Sequence, residues 1–270
     1  MSAKTVVAIS SFVMRGVVGL RAITFALERR GARVWPVATV TMPWHPGLGP
    51  STRSRPADFA THLDELATKA AEVDAVLTGY FASADQVAAA ARFIDAVRAA
   101  RSDALVLVDP VTGDERGRYV PDAVADAIGS ALLPRADIAT PNANELRDLA
   151  RASEAEDDLA AVARRLGPPE VVVTSGVERP GAIGAMLVTP TATTVVEHTA
   201  ITPAPRGTGD LFSAVLLSAR LGGATPEAAL REAAAATLGV ILASDAEVLA
   251  LAEGQEAIAK PPLDLVRAVA

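Results

Sequence analysis

One octapeptide of the 270-residue chain combines residue types and spacing that could do chemistry. It reads Arg206-Gly207-Thr208-Gly209-Asp210-Leu211-Phe212-Ser213, and an apolar run typical of a buried helix continues to Leu221. Pro203 and Pro205 disfavour helix just before it, so the two glycines should lie on the opening turn of a helix. First-turn N–H groups have no partner within the helix and carry the positive end of its dipole. The sequence therefore predicts an anion site, open to close approach at the glycines, that suits phosphate.

Asp210 lies in the same first turn as the glycines. A carboxylate beside a bound phosphoryl group would repel it, unless the carboxylate takes a proton from a hydroxyl that attacks the phosphorus. A structural role is the alternative, in which Asp210 complements the helix dipole and the glycines only turn the chain. The octapeptide by itself leaves both interpretations open.

Strand and helix alternate along the chain with mostly short connections. The predicted strands cover residues 5–9, 34–41, 75–78, 104–108, 137–139 and 170–174, with an antiparallel pair at 183–189 and 193–198. The predicted helices cover residues 20–30, 57–71, 84–100, 122–132, 143–151, 156–166, 208–221, 226–242 and 245–252. This order predicts an α/β fold with a central, mostly parallel sheet and helices on both faces. Because no linker or repeat is visible, we expect residues 1–270 to form a single domain.

Polar residues follow the predicted strands at their carboxyl ends, where ligands bind in open parallel sheets. They are Ser10, Ser11, Tyr80, Asp109, Thr140, Asn142, Thr174 and Ser175. Hydroxyls, carboxylates and an amide suit a hydroxymethyl or sugar-like substrate together with a nucleotide and Mg²⁺. Structural alternatives stay open, because Asp109 before Pro110 could initiate a turn. Asn142 and Glu145 likewise have the spacing of a helix capping box.

Composition and motifs exclude several classes of protein. A net charge of -7 and a pI near 5.1 argue against nucleic acid as a partner. The chain has no cysteine for disulfides or thiolate metal sites, and its three histidines are not paired at helical spacing, so no zinc site is expected. No P-loop, complete dinucleotide fingerprint or G-x-S-x-G motif occurs.

The apolar runs of the sequence are short. None approaches the roughly 18 uninterrupted apolar residues that a membrane-spanning helix needs. The strand-like N-terminus, residues 1–11, is too short for a secretion signal. We therefore expect a soluble, cytoplasmic protein with no membrane partner.

Taken in order, the motifs make the sequence resemble the pyridoxal kinase family of the ribokinase-like superfamily. The motifs that carry the resemblance are residues 10–13, 16–19, 33–40, 45–49, 79–84, 109–114, 140–145, 207–210 and 258–261. The resemblance implies a ribokinase-like fold with a small strand lid, to which the long loop at residues 42–56 would add cover. It also implies ATP-dependent phosphorylation of the 5'-hydroxymethyl group of pyridoxal, a vitamin B6 form, to pyridoxal 5'-phosphate.

The resemblance also implies roles for individual residues. Asp210 would be the general base, and the backbone N–H groups of Gly207, Thr208 and Gly209 would hold the migrating phosphoryl group. The expected acceptor contacts are Ser11, His45, Tyr80 and Asp210, and the expected nucleotide contacts are Asp109, Asp114, Thr140, Glu145, Thr174 and Ser175. Glu145 and Asp109 would organise Mg²⁺ largely through water and phosphates. A monovalent cation could be a further cofactor, and a homodimer is expected.

One departure from the family pattern keeps other acceptors open. The family often has a threonine after the loop histidine, whereas here Pro46 follows His45 and has neither a hydroxyl nor an N–H to offer. A hydroxymethylpyrimidine of thiamin metabolism is therefore an alternative acceptor. A non-catalytic protein that binds vitamin B6 or a nucleotide on the same scaffold is a second alternative.

Overall fold

Consecutive apolar residues form the strands at the centre of the structure, because parallel strands covered by helices are buried on both faces. Residues 6–9, for example, have no exposed surface. The computed structural model describes residues 3–153 and 156–269. No helix in these two ranges is long and apolar enough to cross a membrane.

The described residues form eleven strands. They are β1 (Thr5–Arg15), β2 (Arg33–Trp44), β3 (Ala75–Thr78), β4 (Leu105–Val108), β5 (Gly113–Asp114), β6 (Gly117–Arg118), β7 (Ile138–Ala139), β8 (Glu170–Arg179), β9 (Ala182–Val188), β10 (Thr193–Thr199) and β11 (Arg267–Val269). Nine of them form one sheet in the order β11-β10-β9-β8-β7-β4-β3-β1-β2, and β5 pairs with β6 in a separate ribbon. The strands from β2 across to β8 are parallel, while β9, β10 and β11 are each antiparallel to the preceding neighbour.

Helices cover both faces of this sheet. They are α1 (Leu20–Arg29), α2 (Phe59–Ala67), α3 (Ala84–Ala100), α4 (Asp122–Ala127), α5 (Ala143–Leu149), α6 (Leu159–Arg164), α7 (Thr208–Leu221), α8 (Pro226–Ala243) and α9 (Gln255–Ala259). Short 3₁₀ turns cover Pro46–Leu48, Ala70–Glu72, Leu133–Arg135 and Leu263–Leu265, and a π-helical turn covers Ile128–Leu132. Alternate residues of a strand point to opposite faces, so Ala8 packs with α1, α7 and α8 while Ile9 packs with α2, α3 and α4.

The predicted α/β fold with a mostly parallel sheet is confirmed. One predicted helix is wrong, because residues 245–252 form no α-helix. The carboxylate of Asp245 instead accepts hydrogen bonds from the N–H groups of Glu247 and Val248, both at 2.8 Å, and fixes a turn. Val248 then pairs with Arg206 in an isolated bridge. The division of the chain into domains stays a prediction.

The strand β1 is longer than predicted, because Ser10 and Ser11 do not end it. A shift of register between Ser10 and Phe12 lets the strand continue beside β2 as far as Arg15. Further along β2, Thr41 exchanges backbone hydrogen bonds of 2.8 and 3.0 Å with Ser54. The predicted long loop is thereby folded back onto a strand. The small strand lid stays a prediction.

Candidate active site

The opening of α7 is shaped by a glycine that no other residue can replace without strain. Gly207 has φ 91°, in the left-handed region, and a Cβ there would lie 2.1 Å from the carbonyl oxygen of Val17. A Cβ on Gly209, in contrast, would meet nothing within 4 Å. No side chain of the described residues caps this helix. The first-turn N–H groups are therefore left for a ligand.

Asp210 is half-buried in this first turn and is held by one hydrogen bond. Its Oδ2 accepts from the N–H of Gly19 at 2.8 Å. Burial raises the pKa of Asp210 to about 6, although the hydrogen bond from Gly19 opposes the rise. A carboxyl group with a pKa near neutrality is suited to accept a proton from a hydroxyl.

Glu145 is a second carboxylate, 5% exposed, that lines the same cavity as Asp210. Its oxygens accept from the N–H groups of Thr112 at 3.0 Å, Gly113 at 3.3 Å and Asn142 at 2.9 Å. Burial nevertheless raises the pKa of Glu145 to about 7. Asn142 also caps α5, so the capping-box interpretation of Asn142 and Glu145 is right. Both residues still line the cavity described below.

Asp109 is the third carboxylate, and it is 7% exposed. Burial, and then the charges of Glu145 and Asp210, raise the pKa of Asp109 well above its usual range. Ser213 opposes this rise, because its Oγ donates to Asp109 Oδ2 at 3.3 Å. The same hydroxyl lies 2.9 Å from Oγ1 of Thr140. Sequence reasoning missed Ser213, although its place one helical turn after Asp210 in the octapeptide was a signal.

Basic residues surround His45 in the site. Nδ1 of His45 accepts from the N–H of Gly47 at 3.0 Å. Burial, followed by the charges of Arg206, Arg53 and Arg116, lowers the pKa of His45. The ring is therefore neutral at pH 7, with its N–H on Nε2. None of these arginines was predicted as a site residue.

Two cavities meet at the opening of α7. The first, which we call the carboxylate cavity, has a volume of about 570 Å³. Twelve predicted site residues line it: Ser11, His45, Tyr80, Asp109, Asp114, Thr140, Glu145, Thr174, Gly207, Thr208, Gly209 and Asp210. The structure brings these residues together around one cavity, while their individual roles stay predictions.

The second, which we call the apolar cavity, has a volume of about 650 Å³. Ser175 is the one predicted site residue that lines the apolar cavity alone, and its walls include Ile183, Ile201, Phe212 and Ile241. Thr174, Thr208 and Gly209 line both cavities. The proposed anion site therefore lies where two binding spaces meet, as a transfer of phosphate between two ligands requires.

Comparison with known proteins gives the family of the chain. A sequence model described as phosphomethylpyrimidine kinase matches residues 51–250. The pyridoxine/pyridoxal/pyridoxamine kinase of Bordetella avium is 36% identical over 238 residues, which are 83% of this chain and 80% of the relative. The pyridoxal kinase of Entamoeba histolytica has the same fold, with a TM-score of 0.90 over 100% of both chains at 22% identity.

A second solved structure is the pyridoxal kinase of Leishmania donovani in complex with ADP and pyridoxamine. It is 26% identical, and it superposes with a TM-score of 0.86 over 99% of this chain and 100% of that one. The matched family model spans most of this chain, and the Bordetella relative exceeds 30% identity over most of both sequences. The chain therefore belongs to the phosphomethylpyrimidine kinase family, and within it to the pyridoxal kinases.

Proposed function

We propose that this pyridoxal kinase transfers the terminal phosphoryl group of ATP to the 5'-hydroxymethyl group of pyridoxal, with Asp210 as the general base. The observation that carries the proposal is the position of Asp210 in the first turn of α7, beside the N–H groups that open toward both cavities. The substrates named for the Bordetella kinase and the ligands of the Leishmania structure support the choice of acceptor and nucleotide.

The two cavities suggest where each substrate binds. The apolar cavity suits the base and ribose of ATP, with Thr174 and Ser175 near the phosphates, because aliphatic walls favour a flat, weakly polar ring. The carboxylate cavity suits the acceptor, whose polar ring substituents can reach Ser11, His45 and Tyr80. Asp114 and Thr140 line the same cavity and would contact the phosphates of ATP.

The hydrogen bond from Gly19 determines which carboxylate oxygen of Asp210 can act as the base. It occupies Oδ2, so Oδ1 is left to accept the proton of the hydroxymethyl group. The acceptor oxygen then attacks the terminal phosphorus, and the bond from phosphorus to the bridging oxygen breaks, so that ADP leaves with the electron pair. The N–H groups of Gly207, Thr208 and Gly209 stabilise the charge on the phosphoryl oxygens during transfer.

The residues present fit a magnesium ion that is held largely by the nucleotide. Asp109 and Glu145 are buried carboxylates whose pKa values are raised, and a nearby cation would offset the cost of ionising them. The described residues contain no cluster of three or more His, Cys, Asp or Glu side chains arranged for a metal ion. Mg²⁺ commonly uses one or two carboxylates together with waters and phosphates. When bound, it would neutralise part of the charge of the ATP phosphates.

ADP release with a panel of acceptors tests this function. The panel contains pyridoxal, pyridoxine, pyridoxamine and hydroxymethylpyrimidine, each with ATP and Mg²⁺. We expect pyridoxal to stimulate ADP release most and Asp210→Asn to lower kcat by on the order of 10²–10⁴-fold, with little change in ATP affinity. A preference for hydroxymethylpyrimidine would change the acceptor, and binding without any ADP release would favour the non-catalytic alternative. The cytoplasmic location and the homodimer stay predictions.

A further inference from the structure

Arg206 reaches from the opening of α7 to the turn after β2. Its side chain lies against Gly47, where a Cβ would come within 2.6 Å of the Cζ and Nε atoms of Arg206. Gly47 is thus a residue whose missing side chain makes room for the guanidinium group. Arg206 is half-buried and lines the carboxylate cavity.

The charges that line the carboxylate cavity are divided between two groups. Arg53, Arg116 and Arg206 lie near enough to His45 to disfavour its protonation, and Asp114, which pairs with Arg116, opposes them. The carboxylates of Asp109 and Glu145 are grouped with the catalytic end of the cavity, where the charge of Asp210 acts on Asp109. A ligand with separated polar groups would therefore bind in one orientation.

The arginines differ in how their charge is balanced. Arg116 pairs with Asp114 at 3.1 Å, and Arg53 is exposed to solvent and donates to the hydroxyl of Tyr80 at 3.5 Å. Arg206 forms no ion pair or side-chain hydrogen bond within residues 3–153 and 156–269, and Pro46 beside it has no N–H or hydroxyl. A half-buried guanidinium group without a partner is costly, and an anionic oxygen of the ligand would satisfy it. Arg206 is thus the basic group of this cavity best suited to bind a ligand anion.

We propose that Arg206 is a specificity-determining residue whose guanidinium group binds the anionic ring oxygen of the acceptor, the 3-oxygen of pyridoxal. The identity of the acceptor rests on the proposed function. Pyridoxal at neutral pH is a zwitterion with a phenolate oxygen, two ring positions away from the hydroxymethyl group that Asp210 activates. A hydroxymethylpyrimidine has no such oxygen. Arg206 therefore selects a hydroxypyridine and supplies a contact that Pro46 cannot provide.

The test compares two acceptors, pyridoxal and 3-O-methylpyridoxal, in which the ring oxygen carries no charge. For pyridoxal we expect Arg206→Gln to lower kcat/KM by about 10- to 100-fold, mainly through KM, as loss of a charge-assisted hydrogen bond would. For 3-O-methylpyridoxal we expect less than a threefold change, because the wild-type enzyme already lacks this interaction with it. An equal loss for both acceptors, or no loss for either, would overturn the proposal.

Matched variants separate this role from a structural one. Arg116 lines the same cavity but is already paired with the carboxylate of Asp114. Arg116→Gln should therefore change kcat/KM by the same factor for both acceptors. Arg206→Lys keeps the charge but loses the forked geometry, and it should restore part of the selectivity for pyridoxal. A Lys variant as unselective as the Gln variant, with unchanged thermal unfolding, would count against recognition of the anion by charge.

The wild-type enzyme separates failure of this inference from failure of the proposed function. If wild-type protein releases no ADP with pyridoxal, the proposed function is wrong and the inference falls with it. If the wild type uses pyridoxal and Arg206→Gln uses both acceptors as well as the wild type does, only the inference is wrong. The KM for ATP should stay within about twofold in every variant.

Discussion

The backbone N–H of Gly19 donates to Oδ2 of Asp210 at 2.8 Å, across 191 positions of sequence. Gly19 itself has φ 59° and fits closely, since a Cβ on it would lie 2.2 Å from the carbonyl oxygen of Ser11. The turn after β1 therefore positions the proposed base of α7. A strand end and a helix opening, distant in sequence, are thereby joined by a hydrogen bond at the proposed catalytic group.

Gly19→Ala should break the hydrogen bond between the N–H of residue 19 and Asp210. The added methyl group must displace Ser11 or the turn, so the N–H moves away from Asp210 and we expect kcat to fall by roughly 10-fold or more. Gly16→Ala is the matched control, because Gly16 also has positive φ, at 101°, but a Cβ there would meet nothing within 4 Å. Steady-state kinetics with pyridoxal should show a much smaller change for Gly16→Ala. Similar losses in both variants would indicate that strain alone, and not the bond to Asp210, sets the rate.

The pH dependence of turnover should report the ionisation of Asp210. Burial raises the pKa of Asp210 to about 6, and only the ionised carboxylate can accept the proton of the acceptor. We therefore expect kcat/KM for pyridoxal to be flat near pH 8 and to fall about tenfold per unit below pH 6. The residual activity of Asp210→Asn should lack this step. If kcat/KM of that variant falls in the same way below pH 6, a group other than Asp210 is responsible for the pH dependence.

Sequence reasoning predicted the candidate site because its residues follow strand ends and open a helix. The predicted helix at residues 208–221 has the bounds of α7, and the predicted strand-end residues converge as expected for parallel strands. Contacts such as Ser213 to Asp109 and Arg206 to Gly47 were not predictable, because they depend on the packing of α7 against distant strands and turns. The wall of the apolar cavity was missed as well, since Ile241 looks like any core residue of a helix.

Asp210 should also reduce the stability of the free protein. The pKa of this group is higher in the folded chain than its usual value of 3.8, so the folded state binds more protons than the unfolded state between about pH 4 and 6. The free energy of unfolding therefore decreases as pH rises through this window, and the full penalty is present above pH 6. Asp210→Asn removes the penalty and should stabilise the protein at pH 8 by about 1–2 kcal/mol, with less gain at pH 4.

Urea unfolding of the two proteins at pH 8 and pH 4 measures this difference. The asparagine can still accept the hydrogen bond from Gly19, so packing of the turn after β1 should be retained. A variant that is less stable than the wild type at pH 8 would show that the carboxylate contributes to folding. The burial of Asp210 would then not lower the free energy of unfolding, contrary to this prediction.

Ser213 should lower the Mg²⁺ concentration that the enzyme needs for activity, because it acts on the carboxyl group of Asp109. Its hydroxyl donates to Asp109 at 3.3 Å and opposes the rise in the pKa of that carboxyl group. In Ser213→Ala the pKa of Asp109 rises further, so protons compete better with Mg²⁺ for the carboxylate. We expect the Mg²⁺ concentration for half-maximal activity to increase by about 3- to 10-fold at pH 7, and by more at pH 6.

Ser218→Ala, on the same helix but bonded to Arg30, is the matched control and should need no more Mg²⁺ than the wild type. If the two variants respond to Mg²⁺ alike, Asp109 does not take part in holding the ion.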